Sequence, residues 1–498
     1  MDLQFEKRTL PCMEQVLWDT QTMELTQELR LPEGMPDIGQ VVSCWALPVI
    51  RGKEWRSDRV SVNGGVMCWV LYTPEEEGAP QSMAAWMPYQ MKWDIPPTRH
   101  DGTMIAQPFI RSADARSLSS RKLMLRANLG IQLRAVTPGE ATVYAPDSLP
   151  EDVQVLKKMY PILLPVEAGE KAFQIEEEIQ FPGNLPQPEQ VVRYSLQPNL
   201  AEWKIMTDKA VFRGTGYLHV LYRAADGQLH TWDYELPISQ YADLDKEYES
   251  DAEVEVLPAL TNLELDLMDG QLRLKAGLTG QYMVYERPMV EIIEDAYSTM
   301  RKVETKTEEL FIPALLDSLQ NTMRVEQSVD FDGGNVIDLA FYPDAPQQLT
   351  AADGAEIHLP GVFWLLTQDR EGQLEGTNAY WEEMTSVSAA PDSGVQTAVF
   401  PNGVPTAVTS SGGVSMQGDM DISHRVMGNA PIPAVTGLVL GEELPKDPQR
   451  PSLILRRAGE ECLWDIAKST GTTVDAIRKA NDLEAEPEKD RMLIIPIP

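Results

Sequence analysis

The sequence predicts a mainly β protein, built of tandem β-sandwich-like repeats and closed by a small β-α-α-β module. Three observations predict it. Apolar residues recur at every second position along most of the chain, a long segment repeats itself, and only the last stretch carries a helical period.

The repeat is found by sliding the sequence over itself. Leu31 to Val42 aligns without gaps on Phe181 to Val192, placing Pro32 on Pro182, Pro36 on Pro186 and Gln40 on Gln190. The same offset, about 150 residues, carries Pro48 onto Pro198, Gly64 onto Gly214 and Tyr72 onto Tyr222. After the loss of one residue, Leu123, Leu125, Ala127 and Leu129 fall on Leu272, Leu274, Ala276 and Leu278. Chance does not hold a register that long. A third, eroded copy is expected further on: Gly361 to Thr367 matches the segment around Val70 to Thr73, and Gly413 to Met420 repeats the alternation of Gly270 to Leu278. These matches divide the chain into repeats at 1–145, 146–290 and 291–440, a Pro-rich charged linker at 441–451, and a module at 452–498.

Within each copy, Gly, Pro and Asp-Gly punctuate the alternating runs, as in half-buried antiparallel strands. Ala225-Asp226-Gly227-Gln228 reads as a hairpin turn. The connectors Glu294 to Ser298 and Arg301 to Glu309 fit strand or helix equally. Acidic residues hold every second position from Asp243 to Glu255, which predicts a strand or extended edge with a carboxylate face, read first as a guarded sheet edge that resists aggregation. Against it stands a basic bias in the first copy, at Arg111, Arg116, Arg121, Lys122, Arg126 and Arg134, so self-association between copies of the chain is one expectation. The tryptophans Trp18, Trp45, Trp69, Trp86 and Trp93 sit on alternating strands and are expected in the core.

In the last module, Ser452 to Arg456 forms a short strand, and Leu463, Ile466, Ala467 and Thr470 share one helical face beside Trp464. Thr473 is placed to cap a second helix with Val474 and Ile477 inside, and Met492 to Pro496 closes the unit as a strand. Gly459, Leu463 to Ala467, Gly471-Thr472, Asn481 and Leu493 to Pro496 resemble the LysM pattern. That resemblance implies a shallow groove for N-acetylated glycans or a partner, formed here by Gly459, Glu460, Glu461, Cys462, Leu463, Asn481, Asp482 and Leu483. This chain departs from the pattern at the groove, where Gly459-Glu-Glu-Cys-Leu463 is longer and more acidic than the usual Gly-Asp-Thr-Leu.

The Leu31-Pro-Glu-Gly-Met-Pro-Asp37 opening and the Asp295-Ala-Tyr-Ser298 connector resemble the SPOCS domain of endospore-forming bacteria. Tandem SPOCS-like repeats followed by one LysM module resemble the layout of the SipL family of sporulation proteins. The resemblance implies a scaffold of spore coat assembly in the mother-cell cytoplasm, at the forespore surface. It also implies a LysM module that engages a coat-assembly ATPase resembling SpoIVA. The alternative is a peptidoglycan-binding protein of the wall or spore cortex.

Neither the composition nor the motifs point to an enzyme or to a cofactor. The chain has 76 Asp and Glu against 42 Lys and Arg, a formal net charge of -34, which disfavours nucleic acid and anionic lipid. There is no P-loop, GxGxxG, GxSxG or His-Glu-x-x-His motif, and the four cysteines and five histidines are too dispersed for a metal site. The N-terminus lacks a basic start followed by an apolar run, so no secretory signal is expected, and no stretch approaches the ~20 apolar residues of a membrane span.

Overall fold

A computed structural model describes residues 2–497 apart from 147, 269, 352–353, 391–392, 411 and 446–450. The expected linker therefore lies partly outside the described residues. The first copy contains β1 (Asp2–Gln4), β2 (Glu6–Arg30), β3 (Ile38–Arg56), β4 (Arg59–Pro74), β5 (Gln81–Asp94), β6 (Thr103–Ser119) and β7 (Lys122–Ala145). After β8 (Val153–Pro161) come β9 (Leu164–Gln180), β10 (Pro188–Met206), β11 (Lys209–Ala224), β12 (Leu229–Asp243), β13 (Glu253–Met268) and β14 (Gln271–Glu286). Next are β15 (Met289–Ser298), β16 (Arg301–Asp330), β17 (Asn335–Pro343), β18 (Gln347–Ala351), β19 (Gly354–Gln368), β20 (Leu374–Val387), β21 (Gly394–Ser410) and β22 (Gly413–Glu443). The chain ends with β23 (Leu453–Arg457), α1 (Leu463–Thr470), α2 (Val474–Asn481) and β24 (Met492–Pro496).

One pairing scheme recurs three times. β2-β7-β6 faces β3-β4-β5, β9-β14-β13 faces β10-β11-β12, and β16-β22-β21 faces β17-β19-β20, each sheet antiparallel. The expected hairpin forms at Ala224 to Gln228, where Gly227 takes φ +82, a value that a residue without a Cβ adopts freely. The Pro-rich opening of the first copy wraps an arginine. Arg121 donates to the carbonyls of Pro32 (2.9 Å) and Met35 (3.0 Å) and to Asp37 Oδ1 (2.6 Å), which ties the turn to the tip of the β6–β7 hairpin. In the second copy Gln187 makes weaker bonds to the carbonyls of Pro182 and Leu185.

The three copies close into a ring. β13 packs on β3, β21 on β10 and β6 on β17, so each copy meets the next through equivalent strands. On the local three-fold axis Pro48, Pro198 and Pro343 meet Pro108, Pro258 and Pro401 around a cavity of about 120 Å³. These strands are sheet edges, where proline is best tolerated because the outer side of the strand has no ladder to break. The core is continuous through the first two copies and includes Trp45, Trp69 and Trp93, while Trp86 packs partly buried against it; Trp18, expected there too, is instead half-buried outside it, with the Arg134 guanidinium over its ring.

Two buried ionic clusters join all three copies. Glu255 of the second copy accepts from Arg134 of the first (2.7 Å) and pairs with Arg425 of the third (2.8 Å), while Arg134 also donates to Tyr285 Oη. Arg193 lies over the ring of Trp45 and donates to Asp338 of the third copy at 2.8 Å. His219 bridges two carboxylates, Nδ1 at 2.5 Å from Asp233 and Nε2 at 2.7 Å from Asp338.

Two expectations are corrected here. The acidic run is not one strand: β12 ends at Asp243, β13 starts at Glu253, and the chain between them loops. Burial decides this, because the loop covers Glu167 with the Tyr248 hydroxyl (2.8 Å) and the Asp245 amide, and Glu255 points into the core instead of solvent. The basic residues of the first copy do not form a free patch. Arg111 pairs with Asp344, Arg116 with Asp114, Arg121 with Asp37, Lys122 with Glu28 and Arg134 with Glu255, and Arg126 lies 3.9 Å from Glu24.

Beyond the ring the connectors are strands, not helices. β8 pairs with β15, and β1 pairs with β22 through Leu3↔Leu438, so the chain's start is tied to the end of its third copy. The extended ends of β2, β7, β16 and β22 join this ribbon around Cys12, Val143, Ile162, Ile292, Ile312 and Ile432.

The clusters set two expectations. Glu255→Gln leaves two buried guanidinium groups without their counter-charge, and should lower unfolding free energy by about 3–5 kcal/mol in urea titration. The His219 imidazolium is held above its ordinary pKa, because the Asp338 charge and the bonds to Asp233 and Asp338 outweigh the opposing effect of burial. Its contribution is then complete below the unfolded value of about 6.5 and is lost as pH rises through the folded value. Unfolding midpoints measured from pH 5.5 upward should fall in the parent and flatten in His219→Gln.

Candidate partner-binding site

In the terminal module β23 and β24 pair antiparallel, with Leu455 opposite Ile494, and two short helices cover one face of this ribbon. Thr473 caps α2 by accepting from the Ala476 amide at 3.1 Å, and Gly471 ends α1 in the left-handed region at φ 64. Leu463, Ile466, Ala467, Ile477, Leu493 and Ile495 fill the core. The expected β-α-α-β unit is thus present.

The expected groove residues divide into two sets. Gly459, Glu460, Glu461 and Cys462 form an exposed loop before α1. This loop meets residues 484–490, because the Leu463 amide donates to Glu486 Oε2 at 2.8 Å and Lys489 donates to Glu460 at 2.9 Å. Leu463 itself is buried in the core. Asn481 is a structural brace: its Nδ2 donates to the carbonyls of Ile477 (2.8 Å) and Ile494 (2.6 Å), and its Oδ1 accepts from the Ile494 amide (2.7 Å). Asp482 is the left-handed cap of α2, and Leu483 packs half-buried on the core. Burial, together with the Asp465 carboxylate beside it, pushes the Cys462 thiol up, so this cysteine stays protonated. Glu486 and Lys489 escape sequence reasoning because they lie in an aperiodic loop, where only the fold sets their direction.

Two further surfaces of the module are now visible. The first is a dock. Trp464 stacks edge-on against Tyr297 of β15 at 4.8 Å and donates to Asp295 Oδ2 at 2.9 Å, while Lys468 donates to both oxygens of Asp295. Tyr297 Oη donates to the Thr472 carbonyl at 2.7 Å. Burial acts to raise the Asp295 carboxyl, but the bonds from Lys468 and Trp464 outweigh it and hold the group below its ordinary value. Burial, then the Asp295 charge, push the Tyr297 hydroxyl up to about 12. Trp464 therefore cements the module to the connector as much as it fills the module's own core.

The second surface is apolar. Leu453, Leu455, Met492 and Ile494 lie on the ribbon face away from the helices and are 58%, 70%, 54% and 40% exposed. Leu455 and Ile494 are direct cross-strand partners, so the four side chains make one contiguous patch. Strand alternation marks these residues as lying on one face. It does not say which face the helices cover.

Residues 187–268, spanning β10 to β13, match the family model described as SipL, SPOCS domain. The match supports a sporulation-related role and a likeness to SipL. No curated protein and no solved structure matches the chain. Among the described residues no helix is long and apolar enough to cross a membrane, and no group of three or more His, Cys, Asp or Glu is placed to hold a metal ion.

The dock sets its own expectation. Asp295→Ala removes three hydrogen bonds to α1 at once, and with Lys468 half-exposed the loss should be about 1–2 kcal/mol. Trp464 emission should shift to the red and trypsin should cleave between ring and module sooner, while the main thermal transition of the ring stays in place.

Proposed function

We propose that this chain is a non-enzymatic scaffold of endospore coat assembly, whose terminal module binds a coat morphogenetic protein, a SpoIVA-like ATPase, at the forespore surface. The SPOCS match supports the sporulation context. The ring supports the scaffold role, since its buried charges Glu255, Arg134, Arg425, Arg193 and Asp338 are engaged in holding the copies together.

The observation that carries the binding role is the exposed ribbon face of Leu453, Leu455, Met492 and Ile494. Apolar side chains gathered on a charged, acidic protein favour a protein partner, because burying them removes apolar surface from water at about 25 cal/mol per Å². The groove favours the same partner class. Its helix-start amide at Leu463 is already taken by Glu486, which leaves that donor closed to the acetamide of a glycan. Glu460 and Glu461 at its lip are exposed ion-pair partners of Lys489 and Arg456, and a basic protein surface would have to compete with those two cations for them.

Capture of the purified ATPase by the full chain tests this reading. The double variant Leu455→Lys/Ile494→Lys should weaken capture at least tenfold, about 1.4 kcal/mol, with the module's helical signal retained. Charge reversal of Glu460 and Glu461 should weaken it less. Full capture by the ribbon variant would remove the ribbon from the interface. Retention of the native chain on insoluble peptidoglycan, with none on the ATPase, would replace this reading with a wall-binding one.

A further inference from the structure

A second surface lies on the ring, away from the terminal module. Between the first and third copies, strands β2 and β7 face β16 across a groove with a cavity of about 730 Å³. Its walls carry Glu14, Glu140, Glu308 and Glu309, and among its described lining residues Lys7 is the only cation. Three aromatic side chains line it as well: Trp18, Tyr144 and Phe311, the last 61% exposed.

A second, independent observation at this groove is Gln396. This side chain lines the groove, is 4% exposed, and has an Oε1 with no hydrogen-bond partner, while its Nε2 is engaged with Gln15. A buried carbonyl oxygen left without a donor is costly, so it marks a place where a donor belongs. The neighbouring carboxylates are only loosely satisfied. The Glu140 amide reaches Glu14 at 3.4 Å and the Tyr144 hydroxyl reaches Glu308 at 3.4 Å. The local potential is negative enough to act on a neighbour: the Cys12 thiol is pushed up to about 11, first by burial and then by Glu14 and Glu140.

We infer that this groove binds a lysine-rich, extended segment of a partner protein. The wall offers acceptors and aromatic faces, which suits ammonium groups that both donate hydrogen bonds and sit over rings. Trp18 already takes one cation on its ring, the Arg134 guanidinium at 5.8 Å. An anionic ligand is repelled by four carboxylates. The exposed Phe311 adds an apolar contact that a side chain's methylene stem or a neighbouring apolar residue can cover. Nothing here depends on the terminal module, so the two surfaces stand or fall separately.

Because a chain of net charge -34 attracts any polycation, the test needs a matched control. Binding of a fluorescein-labelled decalysine peptide to the full chain is followed by anisotropy near physiological salt. Glu308→Gln/Glu309→Gln should weaken it about tenfold, and Phe311→Ala severalfold with no change of charge. Glu247→Gln/Glu249→Gln, in the exposed acidic loop, should change it less than twofold. Equal losses in the two double variants, or none in the groove variant, would overturn the proposal. Displacement of the peptide by micromolar spermidine, dependent on Glu308 and Glu309, would instead make the groove a polyamine site. All variants change exposed side chains, and unchanged thermal transitions confirm that each is folded.

Discussion

The architecture depends on one buried carboxylate, Glu255, held between two arginines of other copies. Three similar sandwiches with apolar flanks can pack in more than one order and register. Hydrophobic burial is indifferent to most of those choices. A charge in the centre is not, because burying it without its partners costs several kcal/mol. Ile105 and Ala398 occupy the corresponding places in the other copies, the same distance ahead of Pro108 and Pro401 as Glu255 is ahead of Pro258. The duplicated positions have thus diverged into one acid and two apolar residues, and the ring is satisfied in a single arrangement. Arg193, Asp338 and Trp45 impose the same condition at another level of the ring, again with one contribution from each copy.

This use of charge explains how so acidic a chain folds tightly. Its scarce arginines sit at joints: Arg121 in the opening turn, Arg111 across the seam to Asp344, Arg134 and Arg425 on Glu255, Arg193 on Asp338. The acidic surplus is left on the surface, where each carboxylate keeps its hydration.

Much of the fold was legible in the sequence because strand period and repetition are local or register-preserving signals. The alternation at Leu123 to Leu129 and Leu272 to Leu278 marks β7 and β14, whose inward residues are fully buried. Ring closure was not legible, since the bonds that make it join residues such as Arg134, Glu255 and Arg425 across hundreds of positions. The acidic run misled for a definite reason. The period of two belongs to the carboxylates alone, whereas the residues buried between β12 and β13, Leu244 and Tyr248, are four apart and follow a loop. In the terminal module the helices and both strands were legible. The functional faces were not, because a two-stranded ribbon alternates identically whichever side is covered, and Asn481 resembles a groove residue until its amide is seen bracing α2 to β24.

The connector motif Asp295 to Ser298 gains a physical meaning from this arrangement. Its aspartate takes the indole of Trp464 and the ammonium of Lys468, and its tyrosine takes a backbone carbonyl of the module. Bonds of this kind are modest individually, but a module tethered by a short segment faces its dock at millimolar effective concentration, so a weak site remains occupied. Docking through α1 directs the opposite surface, the Leu455 and Ile494 ribbon face, away from β15 and toward solvent. The dock thus holds the module in one orientation, with the ribbon face displayed and its backbone already ordered by the pairing of β23 with β24.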